Sequence, residues 1–553
     1  MLPTTPGGRS IQAFLVVLLP GALGACNLVF DIRPGIEGEP STGGSTTSGT
    51  GATTSMGGGG TGGSTGGTAT GGGGCAPSGG PMATGKSYAR RFSNAPGHDT
   101  GRALAFDAEG NLIVGGTLTA AGFDLGGGEL PYTGSMDYPN ETVYVAKLGP
   151  GGEHLASGSW SATGTARLHA VAVDRSSGDV VIAGDFNGTI DVGGTMLTSF
   201  DPMYEDIFVA RLGPDLQPKW AKKFGQDYRQ HPFELAVDSQ GAIVIAGGTF
   251  DEVDLGDGPI GGDVRWSSFV VKLDPDGGFV WNQFFDHLLF EEFDYDNHAG
   301  VALALLPDDD VLVGGSFKGP VFFGGAQTLP EGGADAYLVR LSGADSSLVW
   351  KRIYTGGGGA DTDGDQWVTS LARDACGDIY VAGAFTQGIE AGETVVAAKG
   401  ADPAMPDMFL FKVSPSGDPI WQKTYGDVGW QEPTAVRADA FGHVALAGFF
   451  KDAPGFQGVD FGSGISLLPN VPDPGPNYLW DGFVVKLSPG GTALWGHRLG
   501  DESEQRVYDA AFDEKGQLAV TGTFYGSMVL DGAQTPIMAD GFDMYIGWYD
   551  EAQ

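Results

Sequence analysis

Three carboxylates stand at alternate positions around a glycine in residues 361–365, which read Asp-Thr-Asp-Gly-Asp. This spacing lets a loop wrap oxygen ligands around Ca²⁺, a hard cation that prefers carboxylates. The segment departs from the helical calcium-loop pattern, because Gln366 stands where that pattern has glycine and Ala372 where it has a bidentate glutamate. The candidate Ca²⁺ ligands are Asp361, Asp363 and Asp365.

Two other segments, residues 291–298 and 501–504, are also rich in carboxylates. Carboxylates from neighbouring loops can form a cation-binding rim when the loops share one face of a fold. Solvated acidic turns are the alternative interpretation of each loop, because most acidic side chains lie in water. The residues concerned are Glu291, Glu292, Asp294, Asp296, Asp501, Glu502 and Glu504.

The eight histidines show neither a His-x-x-x-His spacing nor a Cys-and-His ligand spacing, which argues against zinc chemistry. His98, His231 and His298 are expected in the same class of connecting loop, either lining a face or scattered in solvent. The 68 acidic side chains provide many carboxylate pairs, but a sequence does not give their separation. We therefore predict no catalytic residues.

The chain is strongly acidic, with a formal net charge of −38 from 68 acidic and 30 basic side chains. A charge of this sign repels nucleic acid and anionic membrane surfaces and favours solubility and cation binding. We therefore expect no nucleic-acid partner.

The amino-terminal residues predict export and a lipid anchor. Arg9 precedes an apolar run over residues 11–23 that is short for a membrane span and typical of a signal peptide. Residues 23–26, Leu-Gly-Ala-Cys, resemble the lipobox of bacterial lipoproteins. That resemblance implies cleavage after residues 1–25, lipidation of Cys26 and attachment to the cell envelope. Asn27 favours the outer membrane, facing the periplasm or the cell surface.

Residues 26–86 form a Gly-, Ser- and Thr-rich segment that cannot bury enough apolar surface to offset its ordering entropy. We predict a flexible linker between the anchor and a folded domain. A Cys75–Cys376 disulfide is permitted by an oxidising compartment, but the predicted positions of the two residues, in the linker and in a turn, favour two thiols.

An internal repeat runs from residue 87 towards the end of the chain. Each unit has two anchor positions six residues apart, the first in a turn and the second at the end of an apolar strand. The turn often reads Asp-x-x-Gly, where aspartate caps the turn and glycine takes a positive φ. The fourth unit has Asp309 at the glycine position, a residue that tolerates the left-handed region. The second anchors are Gly116, Gly184, Gly247, Gly315, Gly383, Gly448 and Gly522.

Two further strands follow in each unit. The third alternates large apolar residues, as in residues 143–148 and 207–212. The fourth is expected to begin at a tryptophan. These tryptophans are Trp160, Trp220, Trp281, Trp350, Trp421 and Trp495.

The seventh unit lacks a fourth strand, since the chain ends soon after its third strand at residues 543–549. Residues 87–93 carry the missing fourth-strand pattern with no unit before them. A closed ring in which this segment completes the last sheet protects every sheet edge, whereas a linear array does not. We predict an all-β fold over residues 87–553, a single seven-bladed β-propeller of four-stranded blades closed by an N-terminal strand.

The repeat resembles that of bacterial seven-bladed propeller repeat proteins, which are described mostly as surface or secreted proteins. The resemblance covers residues 87–549 and implies fold more than function. We expect a monomeric, non-enzymatic binding or scaffolding module. Its long loops at residues 124–141 and 459–480 carry aromatic residues that suit a protein or glycan ligand. The alternative is a hydrolase or lyase acting on polysaccharide at an acidic, calcium-binding face.

Overall fold

The computed structural model describes residues 88–92, 97–133, 141–262, 266–285, 301–325, 327–357, 364–392, 394–400, 405–451, 455–468, 480–500, 503–529 and 536–549. Every regular element in these ranges is a β-strand. They accordingly contain no helix long and apolar enough to span a membrane.

Seven four-stranded antiparallel sheets form the blades of a β-propeller, and the strands of each blade are called A to D from the axis outwards. The A strands are β2 (Thr100–Phe106), β6 (Ala166–Val173), β12 (Gln230–Val237), β18 (Ala302–Leu305), β24 (Gln366–Arg373), β30 (Trp430–Ala438) and β36 (Gln505–Phe512). The B strands are β3 (Leu112–Leu118), β7 (Val180–Phe186), β13 (Ile243–Phe250), β19 (Val311–Phe317), β25 (Ile379–Phe385), β31 (Val444–Lys451) and β37 (Leu518–Met528). The C strands are β4 (Thr142–Leu148), β10 (Asp206–Leu212), β16 (Trp266–Leu273), β22 (Asp335–Leu341), β28 (Asp407–Val413), β34 (Trp480–Leu487) and β38 (Ile537–Tyr549). The D strands are β5 (His154–Ser161), β11 (Pro218–Phe224), β17 (Phe279–Phe285), β23 (Leu348–Tyr354), β29 (Pro419–Tyr425), β35 (Ala493–Leu499) and β1 (Tyr88–Arg91).

Short two-stranded hairpins lie between strands B and C in blades two to six. Because neighbouring strands are antiparallel, the B-to-C connections and the D-to-A connections emerge at the same end of the blades, here called the loop face. Of the predicted acidic and aromatic loops, residues 134–140, 291–298, 361–363, 469–479 and 501–502 lie outside the described residues. The hairpins are β8 (Thr189–Val192) with β9 (Thr195–Thr198), β14 (Val253–Asp254) with β15 (Pro259–Ile260), β20 (Val321–Phe322) with β21 (Gln327–Thr328), β26 (Gly388–Ala391) with β27 (Thr394–Ala397), and β32 (Val459–Gly462) with β33 (Ile465–Leu467).

The ring closes as predicted, because β1 from the start of the propeller completes blade seven. It pairs antiparallel with β38, from Tyr88 opposite Trp548 to Arg91 opposite Tyr545. Strand A of blade seven packs in turn on strand A of blade one. The sequence prediction of seven four-stranded blades and of this closing strand is confirmed.

The A-to-B turns follow the predicted aspartate and glycine chemistry. In blade one, Asp107 Oδ1 accepts the backbone N–H groups of Glu109 at 3.0 Å and Asn111 at 2.8 Å. Gly110 has a φ of 81°, and in blade four Asp309 takes the same left-handed conformation with a φ of 63°. The turn therefore needs a residue that tolerates positive φ, and aspartate meets this need once.

The second anchor is glycine because strand A approaches too closely for a side chain. A Cβ atom on Gly184 would lie 2.1 Å from the carbonyl oxygen of Arg167, and one on Gly383 would lie 2.1 Å from that of Trp367. At this level the A–B register shifts by one residue in six of the seven blades, which is the signature of a β-bulge. Each bulge changes the direction of one strand-A side chain.

The prediction that strand D begins at its tryptophan is wrong, since Trp160 is the seventh residue of β5 and Trp220 the third of β11. The tryptophan instead connects neighbouring blades. The Trp220 indole N–H donates to the Pro275 carbonyl of the next blade at 3.2 Å, and that of Trp350 donates to Pro415 at 3.0 Å.

The apolar core lies between blades, not in one central cluster. Strands B and C are almost fully buried on both faces in most blades, as in β7, where every residue of Val-Val-Ile-Ala-Gly-Asp-Phe is buried. The cluster between blades seven and one joins Trp548 to Val114 and includes Phe92, which follows the closing strand. Each blade therefore needs both neighbours to cover its faces.

Candidate functional site

The strand-A bulges direct side chains into a channel along the propeller axis. The register shift skips one residue in six blades, and each skipped residue lines a cavity of about 360 Å³ on the axis. A bulge thus converts a buried strand position into a channel-lining position without interrupting the blade. The skipped residues are Arg102, His169, Phe233, Thr369, Thr434 and Tyr508.

A charged network crosses this channel. Arg437 Nη2 lies 2.6 Å from Asp509 Oδ1 and 4.0 Å from Glu234 Oε1. Each carboxylate also accepts a backbone N–H from the next blade, Asp509 Oδ2 from Leu104 at 2.7 Å and Glu234 Oε2 from Leu303 at 2.9 Å. Five of the seven blades are therefore connected through one arginine and two carboxylates.

Burial strongly affects ionisation in this network. It raises the pKa of Glu234 to about 7, an effect that Arg437 only partly offsets. Burial likewise raises the pKa of Asp509 in spite of the neighbouring guanidinium. Because of this burial, Glu234 takes up a proton near neutral pH.

Replacing Glu234 with glutamine is expected to stabilise the protein at pH 8 and to have little effect near pH 4.5. The folded-state pKa of about 7 exceeds the ordinary 4.5, so the folded chain binds the extra proton between these values. The resulting stability is complete below pH 4.5 and is lost as the pH rises through 7, by on the order of 2 kcal/mol. Urea unfolding of both chains at the two pH values measures the difference. The exposed Glu109→Gln variant is the control, and an equal effect of both substitutions would contradict the assignment.

A second cavity of about 430 Å³ lies where blades seven, one and two meet at the loop face. It shares Arg102, His169 and Tyr508 with the axial cavity, so the two are adjacent, and we call it the mouth cavity. Threonine hydroxyls, paired charges and aromatic rings line it. Its remaining lining residues include Thr100, Thr117, Thr119, Glu141, Arg167, Glu504, Arg506 and Phe542.

Two of the three arginines of the mouth cavity pair with glutamates. Arg167 Nε lies 2.5 Å from Glu141 Oε2, and Arg506 Nη2 lies 2.9 Å from Glu504 Oε1. Burial raises the pKa of Glu141, although Arg167 opposes the shift. The wall thus presents hydrogen-bond donors and acceptors side by side.

Aromatic rings complete the mouth cavity. The Arg102 guanidinium lies 4.8 Å from the centroid of the Tyr508 ring, a cation–π distance. The rings of His98 and Phe542 stack with their centroids 4.9 Å apart. The cavity can therefore offer ring faces as well as hydrogen bonds to an occupant.

Two histidines and one aspartate meet beside these cavities. His169 Nε2 lies 2.6 Å from Asp185 Oδ2, and His231 Nδ1 lies 2.7 Å from the same oxygen. One ligand atom from each of the three residues lies within 4.8 Å of the others, a separation that suits one metal ion. Among the described residues, this is the group whose donor atoms could hold a metal.

Of the predicted Ca²⁺ ligands and the predicted lipidation site, the structure describes only Asp365. Asp361 and Asp363 lie outside the described residues, as does Cys26. Asp365 directly precedes β24, and its Oδ1 accepts the backbone N–H of Ala334 at 2.8 Å. The Ca²⁺ loop and the lipidation site stay predictions.

The histidines are also distributed differently from the prediction. His231 is the second residue of β12 and not part of a connecting loop. His98 precedes β2 and lines the mouth cavity, while His298 lies outside the described residues. The argument against a histidine metal site relied on local spacing, whereas Asp185 is 16 residues from His169 and 46 from His231.

The channel residues had a usable sequence signal. In five of the six bulged blades the skipped residue stands 14 positions before the second-anchor glycine. His169 stands 15 positions before Gly184, because the turn of blade two is one residue longer. Alignment on the glycines would therefore have listed the axial side chains.

No protein-family model matches this sequence, and no curated protein sequence matches it. Among solved structures, the chain is similar to BamB from Moraxella catarrhalis, with 13% identity over 76% of this chain and 96% of that chain and a TM-score of 0.33. It is also similar to a quinohemoprotein alcohol dehydrogenase from Comamonas testosteroni, with 11% identity over 86% and 77% of the two chains and a TM-score of 0.37. A gluconolactonase from Xanthomonas campestris has 15% identity over 67% and 92%, with a TM-score of 0.28.

Proposed function

We propose that this chain is a cell-envelope lipoprotein whose propeller binds a neutral carbohydrate in the mouth cavity. The observation that carries the proposal is the lining of that cavity, in which paired arginines and glutamates, threonine hydroxyls and aromatic rings surround about 430 Å³. Cys26 would attach the protein to the outer membrane, and residues 27–86 would hold the propeller away from it.

The lining matches the chemistry of a sugar. Sugar hydroxyl groups both donate and accept hydrogen bonds. An ion pair such as Arg167 with Glu141 offers both functions, because the arginine donates and the glutamate accepts. The apolar face of a sugar ring packs on aromatic rings, a role open to Tyr508 and Phe542. The overall charge of −38 disfavours a polyanionic ligand.

Replacing Arg102 with alanine is expected to weaken carbohydrate binding at least about tenfold, since a lost charge-assisted hydrogen bond costs about 1.5–3 kcal/mol. Neutral oligosaccharides selected on a glycan array would be titrated calorimetrically into the full chain. Arg352→Ala is the matched control, because Arg352 lies on the outer strand β23 and pairs with Asp418. The proposal fails if the wild type binds no neutral glycan, or if the two variants bind it equally.

A hydrolase is the second candidate function, and the raised pKa of Glu141 favours it. A buried carboxyl group that retains its proton can act as a general acid, and Glu504 lines the same cavity. Release of reducing ends from a bound glycan, abolished in Glu141→Gln while binding persists, would establish hydrolysis. Binding without product formation supports the binding module.

A further inference from the structure

His169, Asp185 and His231 come from three strands of two neighbouring blades. His169 is the bulged residue of β6, Asp185 lies in β7 of the same blade, and His231 lies in β12 of the next. All three are near the loop-face end of their strands. The bulge at His169 turns its imidazole towards Asp185, so the backbone geometry of the blade creates this group.

The carboxylate of this group is fully buried. Asp185 is 0% exposed and His231 is 2% exposed. Asp185 Oδ2 lies within hydrogen-bonding distance of one nitrogen of each imidazole, while its Oδ1 has no hydrogen-bond partner among the described residues. A buried carboxylate oxygen is normally paired with a donor or a cation, so Oδ1 is open to a cation bound in this group.

We propose that His169, Asp185 and His231 bind one transition-metal dication of the Zn²⁺ class. Two nitrogen ligands and one oxygen ligand suit such an ion, whereas Ca²⁺ and Mg²⁺ prefer oxygen ligands alone. His169 lines both the axial and the mouth cavities, which gives the ion an entry path. This site is separate from the acidic residues 361–365.

The alternative is a structural hydrogen-bond network in which both imidazoles donate to Asp185. Metal uptake distinguishes the two arrangements. A hydrogen-bond network needs no ion, whereas the proposed metal site takes up one equivalent of metal per chain. The full chain would be dialysed against Zn²⁺ or Co²⁺ with an excess of Ca²⁺, which saturates acidic loops that use oxygen ligands only. Metal content and the visible spectrum of the Co²⁺ form are the readouts.

We expect one equivalent of Zn²⁺ per chain and a Co²⁺ spectrum typical of mixed nitrogen and oxygen ligands in low coordination. His169→Asn should reduce Zn²⁺ affinity at least about tenfold, because a two-ligand site coordinates the ion poorly. His443→Asn is the matched control, since His443 Nδ1 pairs with the buried Asp439 Oδ2 at 2.8 Å without a second histidine. It should bind Zn²⁺ as the wild type does.

Two results would overturn the proposal. One is a wild-type chain that retains no Zn²⁺ after dialysis and gives only the spectrum of hydrated Co²⁺. The other is equal Zn²⁺ affinity in His169→Asn and His443→Asn. Because the first result needs no variant, a substitution that prevents folding leaves the test intact.

Discussion

Deletion of residues 1–96 is expected to leave the propeller unfolded or aggregated, whereas deletion of residues 1–86 leaves its thermal midpoint unchanged. The larger deletion removes β1, the outer strand of blade seven, and exposes the edge of β38. It also removes Arg91, whose Nε lies 2.5 Å from the fully buried Asp543, and Phe92, which is 3% exposed.

The expected loss is comparable with the whole stability of a domain. A buried carboxylate that loses its cation costs about 3–5 kcal/mol, and a lost buried phenylalanine adds about 1.5–3 kcal/mol. Domains are typically stable by about 5–15 kcal/mol, so the remaining margin is small. Thermal unfolding and light scattering of the two truncated chains measure the effect. If both truncated chains unfold at the same temperature, ring closure by β1 contributes no stability.

The architecture was predictable because its signals are local. The Asp107 turn is encoded within five residues, and the glycine anchors repeat these turns at a regular interval. Ring closure was predictable because the repeat begins with an extra fourth strand and ends with a unit that lacks one. Local turn chemistry and the need to protect sheet edges therefore determine the fold class.

Alignment on the anchor glycines gives the axial positions, but the contacts among the axial side chains were not predictable because they depend on register between strands and on distant blades. A bulge at His169 is not visible in the apolar pattern of β6, and it decides whether that side chain faces a neighbouring blade or the axis. Glu234 of blade three and Asp509 of blade seven meet Arg437 of blade six only when the three repeats surround one channel. Spacing rules for metal ligands describe loops and helices and do not include ligands from adjacent blades.

In six of the seven blades the turn at the A-to-B connection is also bound to a cation from strand C. In blade one, Lys147 Nζ lies 2.8 Å from Asp107 Oδ2, and in blade five Lys412 Nζ lies 2.9 Å from Asp374 Oδ2. The sequence analysis assigned these aspartates to turn capping alone. They have two functions, because one oxygen caps the turn while the other pairs with the lysine of strand C.

Replacing Asp374 with alanine is therefore expected to destabilise the propeller by about 3 kcal/mol, the lower end of the usual cost of breaking a buried ion pair, because Asp378 Oδ2 still lies 3.0 Å from Lys412 Nζ. The Lys412 side chain is 7% exposed. Although burial opposes its charge, the hydrogen bonds that Lys412 donates to Tyr380 and Asp374 raise its pKa above the ordinary value. The substitution also removes the cap on the N–H groups of Cys376 and Asp378, both at 3.0 Å. Urea unfolding measures the loss.

Two variants separate the charge effect from the capping effect. Asp345→Ala is the control for capping, because Asp345 caps Ser347 at 3.1 Å in an exposed turn without a buried lysine, and we expect little change. The double variant Asp374→Ala with Lys412→Met also removes the buried ammonium group, and it should recover about half of the lost stability. If the double variant is as unstable as Asp374→Ala alone, the buried ion pair is not the source of the loss and turn capping accounts for it.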